Sequence, residues 1–189
     1  MVYLILGTGF EEIEALAPLD IIRRAGVEIK SVGISGKMIT GGHGITVEAD
    51  ISIDEVNSED LDMIILPGGT AGVESIKKSQ QAIELIKYAH DNEKTIAAIC
   101  AAPVLLAQLG YLNGRKAVCH PNVEEKVYLG GALLQKDSPV TSECNLVTGR
   151  AAGASIEFGL KLVSLLSGQE TAETIRKAIC HGPGTKPLI

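Results

Sequence analysis

A three-layer α/β/α sandwich with a mainly parallel sheet is the fold class this sequence predicts. Three observations point to it. VYLIL (2–6), DMIIL (62–66) and TIAAI (95–99) are nearly continuous apolar runs, as expected of parallel strands covered on both faces. Stretches of helical periodicity fall between them, and a strand–helix–strand order implies right-handed crossovers. The 189 residues suit one compact domain with a real core.

VYLIL is the first strand. Glu12 to Ala25 forms an amphipathic helix. Pro18 lies inside it and either kinks it, at a local cost of about 3 kcal/mol, or marks a late start. VEIKSVG (27–33) alternates more and suits a strand nearer an edge. KMITGGHGITVE (37–48) reads as a hairpin around Gly41-Gly42, inserted into the α/β order. DMIIL ends in the turn Pro67-Gly68-Gly69. Ser79 can cap a helix whose Ala82, Leu85, Ile86 and Ala89 share one face. TIAAI runs into Cys100, and APVLLAQLG is a helix ending near Gly110. KAVCH (116–120), GALLQ (131–135) and NLVTG (145–149) are short strand-like pieces. Ala154 to Leu166 is a strongly apolar helix and Gln169 to Ile179 a final one. One domain covers residues 1–180, and 181–189 is an irregular tail.

Composition narrows the function. About 46% of residues are apolar and mean hydropathy is +0.22, yet no apolar run reaches the roughly 18 residues of a membrane span. The start MVYLILGTGFEE has no basic leader and reads as a strand, so the expected compartment is the cytoplasm. A net charge of −6 argues against nucleic acid as the main partner. Trp is absent and aromatics are 3%, which leaves no base-stacking platform. Cys100, Cys119, Cys144 and Cys180 form no CxxC pair. No metal site is therefore expected, and in a reducing compartment these are free thiols.

One of them stands apart. Ligands bind beyond the carboxyl ends of parallel strands, and Cys100 follows TIAAI directly. Ala101 and Ala102 suit a tight strand-to-helix turn, and Pro103 suits a first helical turn. Cys100 thus occupies a nucleophile elbow in the sense of hydrolase active sites. A helix N-terminus there favours the thiolate. The Pro67-Gly68-Gly69 turn lies at another carboxyl end. It can offer one oxyanion donor, with the Ala101 N–H as a second. GTGFEE (7–12) lacks the third glycine of a dinucleotide fingerprint and puts glutamates where a pyrophosphate would sit, so no dinucleotide cofactor is expected. Cys119 and Cys144 have apolar neighbours and read as packing residues. His90 falls on a solvated helix end.

The motifs GFEEIEA, PLDIIRRAG, LPGG, AAICAAP, CHP and TGRAAGASIEF follow one another across nearly the whole chain. Together they resemble the ThiJ/PfpI superfamily (class I glutamine amidotransferase-like), in the branch of the Parkinson-associated protein DJ-one and of ThiJ/YajL. The resemblance implies a flavodoxin-like sandwich and a homodimer. It implies that Cys100 is a reactive, readily oxidised cysteine. Glu14 is then the protonated glutamate that hydrogen-bonds the sulfur, and Glu11 and Glu12 are not its match. His120 is the neighbouring histidine, and Gly69 and Ala101, beside Gly68, are the backbone donors. Arg24 and Arg150 match arginines that shape the dimer-side surroundings of the cysteine. Elementary chemistry suits these roles: a protonated carboxyl can donate to a thiolate, and a histidine can shuttle protons.

Three departures stand out. The hairpin offers His43 where the animal protein has another basic residue. RAAGAS (150–155) replaces an RGPG-type turn. KAICHGPG (177–184) imitates the elbow of the protease-like branch, but nine residues remain after Cys180 and no strand precedes it. An elbow needs a strand before it and a helix after it, so Cys180-His181 reads as tail.

The resemblance implies a cysteine-dependent, cofactor-free glyoxalase or deglycase acting on a small aldehyde such as methylglyoxal or glyoxal. The alternative is a non-enzymatic oxidative-stress sensor or chaperone in which Cys100 stops at sulfinate. A cysteine hydrolase is disfavoured, because Ala101 rather than histidine follows Cys100.

Overall fold

The computed structural model describes residues 1–182. Seven strands form the main sheet: β1 (Val2–Leu6), β2 (Ile29–Gly33), β5 (Ile51–Ser52), β6 (Met63–Leu66), β7 (Thr95–Ile99), β10 (Val140–Glu143) and β11 (Leu146–Gly149). Their order is β10-β11-β7-β6-β1-β2-β5, and only β10 runs antiparallel to its neighbour. β3 (Met38–Thr40) and β4 (Thr46–Glu48) form a separate antiparallel hairpin, and β8 (Lys116–Ala117) and β9 (Leu133–Leu134) a short parallel pair. The helices are α1 (Glu12–Arg24), α2 (Thr70–Lys78), α3 (Gln80–Asp91), α4 (Pro103–Gln108), α5 (Glu124–Leu129), α6 (Ser155–Ser167) and α7 (Gln169–Ala178).

The apolar runs sit where continuous hydrophobicity requires, in the sheet centre. Alternate residues of each strand feed opposite faces. Ile5, Ile64, Leu66, Ile96 and Ala98 pack with α2, α3 and α4 on one side. Leu4, Leu6, Met63, Ile65 and Ile99 pack with α1 and α6 on the other. This is the expected flavodoxin-like sandwich, and β2, one strand from the edge, is placed as its alternation suggests.

Pro18 stays inside α1, which begins at Glu12. The late-start reading therefore fails. Lacking an N–H, Pro18 cannot donate to the carbonyl of Glu14, four residues back. The ring lies against α6, where a Cβ at Gly159 would come 3.1 Å from the Pro18 Cα. The glycine lets the two helices meet there.

Other expectations need correction. The hairpin turn spans 41–45 rather than the Gly41-Gly42 pair, because Gly41 N–H donates to Ile45 O. Cys144 is exposed in the β10–β11 turn with φ +53°, so it is not a packing residue, whereas Cys119 is buried. His90 stacks on Tyr111 with ring centroids 3.7 Å apart instead of simply facing solvent. Most of the 181–189 tail lies outside the described residues.

Candidate active site

Cys100 is the first residue past β7. Its φ is +66°, a left-handed conformation that non-glycine residues seldom adopt and that marks a strained turn. The strain is held from both sides. Cys100 N–H donates to Gly149 O at 3.0 Å, and Cys100 O accepts from His120 N–H at 2.9 Å. α4 starts at Pro103 with Ala102 as its cap, so the strand–turn–helix elbow forms as the small residues require. Cys100 touches both hydrophobic cores, one on each face of the sheet.

Glu14 reaches the sulfur from α1. The start of α1 is locked to the Pro67-Gly68-Gly69 turn, since Glu11 N–H donates to Gly68 O at 3.0 Å. That places Glu14, only 1% exposed, beneath the elbow. Gly68 N–H donates to Glu14 Oε2 at 2.9 Å. A Cβ on Gly68 would lie 2.5 Å from that oxygen, 2.7 Å from the Cys100 Cβ and 3.1 Å from the Ala101 nitrogen. Glycine is needed there for close approach rather than for conformation. The Gly68 N–H is thus spent on the carboxyl and is not an oxyanion donor as expected from sequence. The donors directed at the sulfur are the N–H groups of Gly69 and Ala101.

Glu14 and Cys100 shift each other's proton affinity. Burial pushes the Glu14 carboxyl up to about 7, with the Glu11 charge adding to it and hydrogen bonds from Cys100 and Gly68 opposing. Its Oε1 is buried without a hydrogen-bond partner. An unpaired buried carboxylate oxygen is costly, and a proton relieves it. Burial first, then the Glu14 charge, push the Cys100 thiol up to about 12 against the pull of the two N–H donors. This is opposite to the thiolate-favouring effect expected of the helix N-terminus. The reason is physical: α4 has six residues, whereas the sulfur is largely desolvated beside an acid. Between those two values the pair holds one proton. Thiol with carboxylate and thiolate with carboxylic acid are two placements of that same proton.

The histidine and arginines are placed less tightly. His120 is joined to the elbow through its backbone. Its Nδ1 accepts from Asn122 N–H at 3.1 Å, which leaves Nε2 as the ring's remaining polar atom. Arg24 sits in the last turn of α1, paired with Asp20 at 2.6 Å. Ten residues of helix put it about 15 Å along the axis from Glu14. The Arg150 N–H donates to Pro139 O at 2.9 Å, and its charge acts on Cys119. Within one chain, neither arginine is among the groups acting on Cys100.

A further group, not singled out by the sequence, flanks the site. Glu11, Glu12 and His43 bring their ligating atoms within 4.8 Å of one another. Glu12 and His43 are 31 residues apart, and only the hairpin's fold over the start of α1 joins them. A surface cleft of about 810 Å³ lies between α5 and β9. It begins at Pro121 beside His120 and is lined by no cysteine or serine.

Known proteins share this architecture. The chain is 30% identical over 176 residues to protein dj-1beta of Drosophila melanogaster, covering 93% of this chain and 94% of that protein. The crystal structure of Drosophila melanogaster DJ-1beta superposes with a TM-score of 0.91 at 29% identity, covering 96% of this chain and 98% of the other. A structure titled as oxidized Toxoplasma gondii DJ-1 gives a TM-score of 0.89 at 31% identity, with 96% and 98% covered. A Pyrococcus abyssi protein named a deglycase is 31% identical over 157 residues, 83% of this chain and 93% of its own length. Residues 1–165 match the DJ-1/PfpI family, and the chain belongs to that family.

Proposed function

We propose that this protein is a cofactor-free glyoxalase or deglycase acting on small α-oxoaldehydes through Cys100. The observation that carries the reading is the arrangement at the elbow: Cys100 in a left-handed turn after β7, with the buried Glu14 held beneath it by the Gly68 N–H. A desolvated thiol on a strained elbow meets a buried carboxyl whose proton affinity is centred on neutral pH. That is where a general base works best. A relative named a deglycase supports the same class.

In this reading Glu14, as carboxylate, takes the thiol proton while the sulfur attacks the aldehyde carbon of methylglyoxal. The carbonyl oxygen becomes the hydroxyl of a hemithioacetal by accepting that proton. The Gly69 and Ala101 N–H groups stabilise charge developing near the sulfur. The C1 hydrogen then leaves as a proton and one returns to C2, with Glu14 and His120 as carriers, giving a thioester. Water cleaves it to lactate and restores the thiol. The sum is methylglyoxal plus water to lactate, with no net oxidation. Applied to an aldehyde already joined to an amine or thiol, the same chemistry is deglycation.

The homodimer belongs to this proposal. Ile13, between Glu12 and Glu14 on α1, is 56% exposed, an apolar side chain that a second copy would cover. Light scattering on the eluting protein tests it: a monomeric mass removes the partner's contribution.

The deciding experiment is lactate formation from methylglyoxal without glutathione, by wild type and Cys100→Ser. Turnover in wild type that vanishes in the variant supports the reading. No turnover from reduced, folded protein sinks it. The second reading, a redox sensor, is favoured by the two N–H donors at the sulfur, which could equally hold sulfinate oxygens. A mass gain of two oxygens on Cys100 at low peroxide, without turnover, would select it.

A further inference from the structure

We infer that Glu11, Glu12 and His43 form a binding site for a divalent transition-metal cation, beside the Cys100 centre but using none of its ligating atoms, and not resting on the function proposed for it. Glu12 is seated in the hairpin turn. A Cβ on Gly41 would lie 2.8 Å from the Glu12 Cγ, so the bare backbone of that glycine makes room for the carboxylate. His43 N–H donates to Glu12 Oε1 at 2.8 Å, and Ile45 N–H reaches the same oxygen at 3.4 Å. These bonds occupy Oε1 and aim Oε2 at the imidazole, as an outer shell orients a metal ligand.

The spacing fits an ion. Glu12 Oε2 lies 2.9 Å from His43 Nδ1, and Glu11 Oε1 lies 3.6 Å from the same nitrogen. Ligands about 2.0–2.1 Å from zinc at angles of about 90–120° are about 2.9–3.6 Å apart. The charge fits as well. Two carboxylates, both largely covered, face one imidazole, and among the described residues no Lys or Arg pairs with either. A dication between them would offset the like-charge crowding. Within one chain the His43 side chain is 69% exposed, which leaves a fourth position for water. Two carboxylates and one imidazole suit zinc and its neighbours better than calcium or magnesium. Coordination requires Nδ1 to give up the proton it shares with Glu12, either to Nε2 or to solvent.

Zn²⁺ itself is the probe. Protein freed of metal is titrated by calorimetry as wild type, Cys100→Ser, His43→Ala and Glu11→Gln. His43 lies exposed on a hairpin and Glu11→Gln keeps its shape, so both variants fold, and circular dichroism checks that they do. The expected result is one Zn²⁺ per chain in wild type and in Cys100→Ser, with affinity about 10–100-fold weaker in His43→Ala and Glu11→Gln. Absence of stoichiometric binding to wild type overturns the inference. So does unchanged affinity in His43→Ala, or binding that disappears in Cys100→Ser, which would move the metal to the thiol.

Discussion

Cys100 and Cys180 share a backbone conformation and little else. Their φ angles are +66° and +56°; Cys100 stands in a motif that reads as an elbow, and Cys180 in one that only imitates it. Cys180 follows the last turn of α7, where its N–H donates to Lys177 O at 3.0 Å. There a left-handed residue merely ends a helix. It is exposed. The neighbouring His181 is turned away to Glu157, 3.2 Å from its Nε2. Cys100 has a strand before it, a helix after it and an acid beneath it. A positive φ is therefore not a signature of a nucleophile; what surrounds the turn decides its chemistry.

The comparison can be broken most directly by exchanging the sulfurs. Cys100→Ser should lower methylglyoxal turnover by at least about 10³-fold, while Cys180→Ser leaves it unchanged. Loss of turnover in both would erase the distinction. Glu14→Gln should lower kcat/KM by about 10²-fold. Wild-type kcat/KM should rise as pH passes through about 7, because the carboxylate is the form that takes the thiol proton. A pH profile that keeps this limb in Glu14→Gln would place the titration elsewhere.

The same variant carries a stability signature of defined sign. The Glu14 carboxyl is raised from 4.5 to about 7 in the fold. Its protonated form is favoured in the native state, and that contribution is complete below the unfolded value of about 4.5 and lost as pH rises through about 7. The difference is about 3 kcal/mol. Glu14→Gln should therefore unfold at higher denaturant than wild type at pH 8, relative to their difference at pH 4. Equal differences at both pH values would argue against a raised carboxyl.

Smaller effects sharpen the contrast. Gly68→Ala puts a methyl against Glu14, Cys100 and Ala101 and should destabilise by about 1–3 kcal/mol, with loss of activity. Gly182→Ala, near Cys180, meets among the described residues only the end of the Arg176 side chain, 2.8 Å away, and should change little. Breaking the His181–Glu157 pair with His181→Ala should cost no more than about 1 kcal/mol, read from the urea midpoint, without touching turnover.

The elbow was legible because its signals are local. A buried strand is a run of apolar residues, and a turn into a helix shows in Ala101, Ala102 and Pro103. β10 and α5 escaped notice because SPVTSE and EEKVYL are short, half-exposed and without a marked period. The thiol's direction of shift was misread for a different reason. A helix N-terminus is visible in a sequence, but desolvation and the distance to Glu14 are sums over the folded surroundings. Gly68 shows the same limit: its glycine was readable, the destination of its N–H was not. Glu11, Glu12 and His43 meet only through the hairpin, and no spacing along the chain announces it.

Both backbone groups of Cys100 are committed to neighbours, the N–H to Gly149 and the C=O to His120. In hydrogen-exchange terms, the Cys100 turn is tied to the central strands. Its amide should exchange only through the openings that also release β7 and β11, unlike the amides of exposed loops. The sulfur therefore does not travel to meet a reactant. In the glyoxalase reading, the aldehyde must come to it.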